Sequence, residues 1–234
     1  MPKLRIAEIF SSIQGEGIWA GTPSVFIRVS GCNLRCVWCD TPYASWHPEG
    51  PTLDLGEIMN VVDLQKQKHV VITGGEPMLF EPIIQLASLL KAENHIITIE
   101  TAGTVFRELP CDLMSISPKL ANSSPVGKID KEWVDRHETT RKDLRPLKEL
   151  AVRYPLQLKF VVNPEEGLDG QMSEIERLLS EIAVTGDHVL LMPEGRDIET
   201  LRRREQLLVP VCLETGYRLT PRMHIELFGD TRGT

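Results

Sequence analysis

The sequence predicts an α/β fold in which about six parallel strands alternate with helices. Three observations carry this expectation. Short apolar runs rich in β-branched residues recur along the chain, and stretches with apolar residues at helical spacing lie between them. The runs are nearly continuous in apolarity, as in a parallel sheet covered by helices. Strand and helix patterns alternate about six times, the signature of right-handed βαβ crossovers. Periodicity alone fits either an open doubly wound sheet or an incomplete barrel. No GxGxxG follows an early strand, which weighs against dinucleotide binding.

The elements follow in order. VFIRVS (25–30) reads as the first strand. LDLGEIMNVVDLQKQ (53–67) reads as a helix, with Leu55, Ile58, Met59, Val62 and Leu64 near one face. HVVIT (69–73) is a strand. EPIIQLASLLKAE (81–93) is a helix with Pro82 in its first turn. HIITIE (95–100) and DLMSIS (112–117) are strands. Residues 119–150 are long, polar and charged, and read as a solvated excursion or lid at the rim. LQLKFVV (156–162) resumes the sheet. MSEIERLLSEIA (172–183) reads as a helix opened by a capping box of Ser173 and Glu176. HVLLMP (188–193) is a strand. ETLRRREQL (199–207) is a helix that Pro210 should end or kink. MHIELF (223–228) reads as a last strand.

The bulk numbers narrow the function. The chain has 234 residues, 41% hydrophobic and 25% charged, which suits one globular domain spanning 1–234. A net charge of −7 gives no global reason to bind nucleic acid. Arg202, Arg203 and Arg204 read as a solvated helix face. The opening MPKLRIAEIF lacks a signal-peptide pattern, and no run approaches the ~20 apolar residues of a membrane span. Five cysteines, three of them clustered, suit a reducing cytoplasm rather than a disulfide framework. Cys111 and Cys212 read as buried, unreactive thiols.

The cluster is GCNLRCVWCD (31–40). Cys32, Cys36 and Cys39 follow C-x3-C-x2-C directly after a strand, at the sheet edge where α/β folds bind ligands. A closed zinc site takes four ligands, which Asp40 or His47 could complete. Three thiolates on a four-iron cluster instead leave one iron open. A second motif, TGGEP (73–77), also follows a strand. Its glycines allow close approach of the backbone, and Glu76 offers a carboxylate.

Together these motifs resemble the radical S-adenosylmethionine (SAM) superfamily, with Trp38 as the aromatic before the last cysteine. The resemblance implies an incomplete (β/α) TIM-like barrel and a 4Fe–4S cluster whose open iron binds SAM. An electron then releases a hydrogen-abstracting deoxyadenosyl radical. IFSSIQGEG (9–17), CDTPYA (39–44) and HIELFGDTRGT (224–234) further resemble the 7-carboxy-7-deazaguanine synthase family, over nearly the whole chain. That resemblance implies 6-carboxy-5,6,7,8-tetrahydropterin as substrate, with ring contraction and loss of ammonia, and Mg²⁺ as a further cofactor. It assigns the magnesium ligand to Thr41, and substrate contacts to Ile13, Gln14, Gly15, Glu16, Arg28, Thr73 and Thr234. It assigns SAM contacts to Trp38, Cys39, Asp40, Gly75 and Glu76, to Ser117, Pro118 and Lys119, and to Met192, Pro193, Glu194 and Gly195. It implies an electron donor such as flavodoxin, and a homodimer. The alternatives are a glycyl-radical-enzyme activase and a non-catalytic zinc-binding module.

Overall fold

The computed structural model describes residues 2–234. Its strands form one nine-stranded sheet. β1 (Lys3–Ile13) runs antiparallel to both β2 (Pro23–Val29) and the short edge strand β3 (Thr52–Asp54). β4 (His69–Gly74), β5 (Ile96–Thr101), β6 (Leu113–Ile116), β7 (Leu156–Val162) and β8 (Val189–Pro193) then add beside β2, all parallel. The two-residue β9 (Arg218–Leu219) ends the row. The parallel strands join in chain order without reversal. A doubly wound sheet reverses at a switch point. This sheet curls one way only, and among the described residues β9 does not pair with β3. The incomplete barrel is the outcome.

Register divides the sheet into two faces. Val25, Ile27, Val29, Val70, Ile72, Ile97, Ile99, Met114, Ile116, Leu158, Phe160, Val162, Val189 and Leu191 all belong to the main core. They alternate with a second set, because strand side chains have period two. In that second set Arg28 pairs in register with Thr73, Glu100 with Ser115, and Ser115 with Gln157. One face is therefore apolar and covered by helices. The other carries a polar row near the C-terminal strand ends. Deeper on the same face, Ser24, His69 and Thr98 form a buried chain, Oγ to Nδ1 at 2.7 Å and Nε2 to Oγ1 at 2.8 Å, with Trp19 edge-on to the imidazole. That chain plugs the barrel floor.

α1 (Leu55–Gln65) starts with a capping box in which Asp54 and Glu57 satisfy each other's backbone N–H. α2 (Pro82–Ala92), α3 (Lys131–Lys142), α4 (Arg145–Arg153), α5 (Leu168–Ile182), α6 (Ile198–Thr215) and α7 (Met223–Phe228) complete the helices.

Several expectations are corrected. Residues 223–228 form α7, not a strand, and only Ile225 of it is buried. A short apolar run does not separate the two states by periodicity. β1 was missing from the expected strands, although its buried Leu4 and Ile6 alternate with exposed neighbours. α5 begins five residues before Ser173, after Gly167 in the left-handed region, so Ser173 caps nothing. Pro210 lies inside α6 and does not end it. It is exposed, so the carbonyl it leaves unpaired faces water. Cys111 and Cys212 are only partly buried. Arg202 and Arg203 are exposed, as a solvated face requires; Arg202 pairs with Glu226, and Arg203 and Arg204 share Glu165.

Candidate active site

The loop after β2 carries the three cysteines. Gly31 turns it with φ +127°, and the Phe80 ring occupies the space a Cβ would need. Gly31 N–H donates to Ala44 O (2.7 Å), closing the loop at its base. The TGGEP segment clamps that base from beside it, with Gly75 N–H donating to Val29 O (3.1 Å) and Glu76 N–H to Gly31 O (2.9 Å). A Cβ on Gly75 would stand 2.2 Å from Gly31 O and 2.7 Å from Ala44 O. The glycine thus makes room for the neighbouring loop as well as lining the cavity.

Glu76 sits behind the cavity wall. It is fully buried, and its carboxylate accepts from Met78 N–H, Thr101 Oγ1 and Ala102 N–H. It ties β4 to β5 and does not line the cavity. Burial pushes its carboxyl up, against these hydrogen bonds.

Cys32, Cys36 and Cys39 open into a cavity of about 920 Å³ above the C-terminal strand ends. Their donor set fits an iron–sulfur cluster. Among the described residues, no three His, Cys, Asp or Glu side chains converge as the ligands of a single ion would. Thiolates that each hold a separate iron corner have no need to converge. Burial pushes Cys36 up to about 12 and Cys32 higher. A thiolate in such a place is sustained by the charge of a bound metal. Neither proposed fourth zinc ligand suits the role: Asp40 is paired with Arg222, and His47 is exposed outside the cavity.

The polar row fills the cavity floor. Lys159 Nζ lies 2.8 Å from Glu16 Oε2 and 3.3 Å from Glu100 Oε1. Glu100 also accepts from Thr73 Oγ1 (2.9 Å) and Gln14 Nε2 (3.2 Å). Arg222 spans three segments, bonding Glu16 (3.2 Å), Asp40 and the carbonyl of Gly195. Burial alone would raise the Glu16 carboxyl, yet Lys159, Arg222 and His224 outweigh it and hold Glu16 far below its ordinary range. Burial opposes charge on Lys159, and Glu100 and Glu16 reverse that and raise it. The site therefore holds both signs as fixed charges. Arg28 faces the cavity while pairing with Glu8 at 2.6 Å, and Tyr43 Oη donates to the same carboxylate.

The structure brings most expected residues to this one cavity. Ile13, Gln14, Gly15, Glu16, Arg28, Trp38, Cys39, Asp40, Thr41, Thr73, Gly75, Ser117, Lys119, Met192, Glu194, Gly195 and Thr234 line it. Pro118 and Pro193, like Glu76, lie outside the lining. Lys119 Nζ donates to Ser117 Oγ (2.8 Å) and lies 5.2 Å from the Trp38 ring centre. The charged residues Glu100, Lys159 and Arg222, and His224 beside them, are among the lining residues that escaped the sequence reading. Lys159 had a signal, a lysine inside the apolar strand LQLKFVV, where an isolated charge needs a partner.

Within residues 119–150 the surface of α3 is largely exposed, as an excursion would be, yet the segment also packs on the fold. α4 buries Leu147 and Leu150 in the core. Buried His137 of α3 accepts from Arg35 N–H (3.1 Å) through Nδ1, so Nε2 carries the proton toward Ser123 Oγ (3.0 Å). Val37 N–H donates to Ser123 O (3.0 Å). The segment buttresses the cysteine loop.

A partial barrel with three cysteines on the loop after its first parallel strand defines a radical SAM protein. Residues 26–142 match that superfamily. A 7-carboxy-7-deazaguanine synthase from Halobacterium salinarum is 44% identical across the whole chain and 93% of its own length. One from Rhodopirellula baltica is 42% identical over 99% of this chain and 89% of its own. The solved structure of QueE from Escherichia coli shares the fold, with a TM-score of 0.67 over 95% of each chain at 24% identity. The chain belongs to the 7-carboxy-7-deazaguanine synthase family.

Proposed function

We propose that this chain converts 6-carboxy-5,6,7,8-tetrahydropterin into 7-carboxy-7-deazaguanine with loss of ammonia, on the route to queuosine and related 7-deazapurines. The observation that carries the reading is that three cysteines and a buried row of fixed charges share one cavity. When bound, the cluster and SAM supply one-electron chemistry that takes a hydrogen atom from substrate.

The chain's own residues bind and orient. The pyrimidine edge of a pterin presents N–H donors, which suit the carboxylates of Glu16 and Glu100 and the amide of Gln14. The substrate carboxylate suits Arg28, whose planar fork grips two oxygens. Ile13 supplies apolar contact, and Gly15 approaches without a side chain. Trp38, Ser117, Lys119, Met192, Glu194 and Gly195 form the wall proposed for SAM. Thr41 Oγ1 lies 3.8 Å from Cys39 Sγ. A hard hydroxyl there, together with substrate oxygens, suits Mg²⁺, which keeps several waters. Thr234 lines the rim and helps to exclude water. An activase that works on a protein backbone has no use for such a row, and the zinc-module alternative leaves it unexplained.

The proposal extends to a reducing cytoplasm, a homodimer and a protein electron donor. Five unpaired cysteines support the first. No described helix is long and apolar enough to cross a membrane.

Anaerobic enzyme reconstituted with iron and sulfide, given SAM, the carboxy-tetrahydropterin and dithionite, should release carboxydeazaguanine and ammonia. Cleavage of SAM with the pterin left untouched would overturn the substrate assignment. Thr41→Ala should keep the cluster absorbance and lose magnesium stimulation. An unchanged magnesium response removes that role from Thr41.

A further inference from the structure

The proposed conversion ends in loss of ammonia, and the inference here rests on that reading. The substrate has a CH₂ beside the carbon that bears the carboxylate. The product has a single hydrogen there, on an aromatic ring. Once the ring has contracted, loss of ammonia is therefore an elimination. A C–H bond gives up its proton, and its electron pair becomes the new C=C bond. The C–N bond breaks with its pair on nitrogen, which takes up a proton and leaves as ammonia. No oxidant or reductant is consumed. One side chain that accepts a proton and then returns it can serve both ends.

The charged groups of the cavity floor are tied to one another. Lys159 pairs with Glu16 and Glu100, and Arg222 pairs with Glu16 and Asp40. Arg28 and Tyr43 share Glu8. Such fixed pairs do not readily give and take a proton near neutral pH. His224 differs. Among the described residues it is the histidine that lines the cavity, and neither of its ring nitrogens has a hydrogen-bond partner there. Backbone packing places it. Met223 N–H donates to Gly15 O (2.9 Å), and a Cβ on Gly15 would collide with His224 Nδ1. The imidazole thus lies against bare backbone, in room that only a glycine leaves. The charges facing it are Glu16 from the segment after β1, Asp40 from the cysteine loop, Glu100 of β5 and Arg222 just before α7. Burial, helped by Arg222, outweighs the three carboxylates, so His224 titrates below its ordinary 6.5. It is a neutral base at pH 7, and the carboxylates stabilise the imidazolium it becomes.

We propose that His224 carries the proton from carbon to nitrogen in this elimination, its imidazole accepting from the CH₂ and then donating to the departing amine. Arg28 holds the neighbouring carboxylate meanwhile, from the same cavity.

The test uses His224→Gln in the reconstituted holoenzyme, with SAM, dithionite and the carboxy-tetrahydropterin deuterated at C6. Ammonia and carboxydeazaguanine report the elimination, and deuterium entering SAM reports the earlier hydrogen transfer. In the variant kcat for product should fall about 100-fold or more, while KM stays within about threefold. Deuterium should still enter SAM in the first turnover. An isomer of the substrate that keeps all its nitrogen should accumulate. In the wild type, ammonia release in a single turnover should slow as pH drops below 6.5, where the imidazole is protonated before it can act. The variant should lack that acid limb. His224→Ala serves as a second variant, and added imidazole should restore its product formation about tenfold. Product formation at the wild-type rate in both variants overturns the proposal. Equal loss of deuterium transfer and of product does so too, since it makes His224 a structural residue. The wild-type acid limb does not depend on how either variant folds, and its absence likewise overturns the proposal. A wild type that leaves the pterin untouched strikes the substrate assignment itself, and this inference with it.

Discussion

Arg222 shows how much of this site rests on single residues. Its guanidinium joins the segment after β1, the cysteine loop and the β8–α6 loop, through Glu16, Asp40 and Gly195. Arg222→Met should destabilise the fold by about 3 kcal/mol, the low end for a broken buried pair, because Lys159 still neutralises Glu16. Arg222→Lys keeps the charge but not the planar fork. It should recover stability in part and still raise KM for the pterin. Denaturant melts and steady-state kinetics on both variants check this. If the methionine variant is as stable as the wild type, the latch is not structural. Glu76 makes a different case, a motif residue whose carboxylate is engaged in internal hydrogen bonds. Each of its oxygens accepts from a backbone N–H. In Glu76→Gln the amide NH₂ must face one of those donors, so stability should drop by about 1–3 kcal/mol. A melt that does not move would return Glu76 to the candidates for direct ligand contact. The cysteines and Arg28 were legible because a charge or a thiol cluster stands out against an apolar strand. Arg222 and His224 were not, since nothing in PRMHIELF says that it folds back beside Gly15.

At the scale of elements, the six parallel strands beside β1 were readable because their helix-packed face is wholly apolar and the polar residues of the other face are few and spaced. The division into a helix-packed face and a functional face was not, since it depends on register between strands far apart in sequence. The role of α3 was hidden for a related reason. Its composition is polar because it packs through His137 and stacked cations rather than aliphatic side chains. That choice gives α3 a pH response. Burial pushes His137 down to about 4 from an ordinary 6.5. Between these values the unfolded chain takes up a proton that the folded chain refuses, so stability falls as pH drops. The contribution is complete above about 6.5 and is lost progressively toward about 4. Burial lowers His69 as well, so part of the loss belongs to the barrel floor. Urea melts at about pH 7.5 and pH 5 should therefore show a marked drop for the wild type and a smaller one for His137→Gln. Equal drops would place the proton uptake elsewhere.

Across the whole molecule, the open side of the barrel is closed by the chain's last fifteen residues rather than by strand pairing. Gly17 N–H donates to Thr220 Oγ1 (2.6 Å), and Met223 N–H donates to Gly15 O (2.9 Å). Arg232 then stacks over Tyr43 at 4.0 Å, pairs with Glu8 (3.3 Å) and Glu49, and donates to Ala7 O (3.1 Å). Through Tyr43 and Glu8 it reaches the pair that holds Arg28. Arg232 is half-exposed, and exposed ion pairs contribute about 0–1 kcal/mol each. Arg232→Ala should hence leave the melt within about 1 kcal/mol of the wild type. Its effect belongs to the rim. Freed from β1, residues 231–234 no longer hold the cavity wall, and Glu8 is left with Arg28 and Tyr43 alone. KM for the carboxy-tetrahydropterin should rise several-fold while SAM cleavage without substrate is unchanged. The two rates separate a tail that shapes the substrate end from one that merely decorates the surface. If substrate KM does not move, the closure is packing without consequence for binding. If SAM cleavage falls with it, the tail supports the cysteine loop as well.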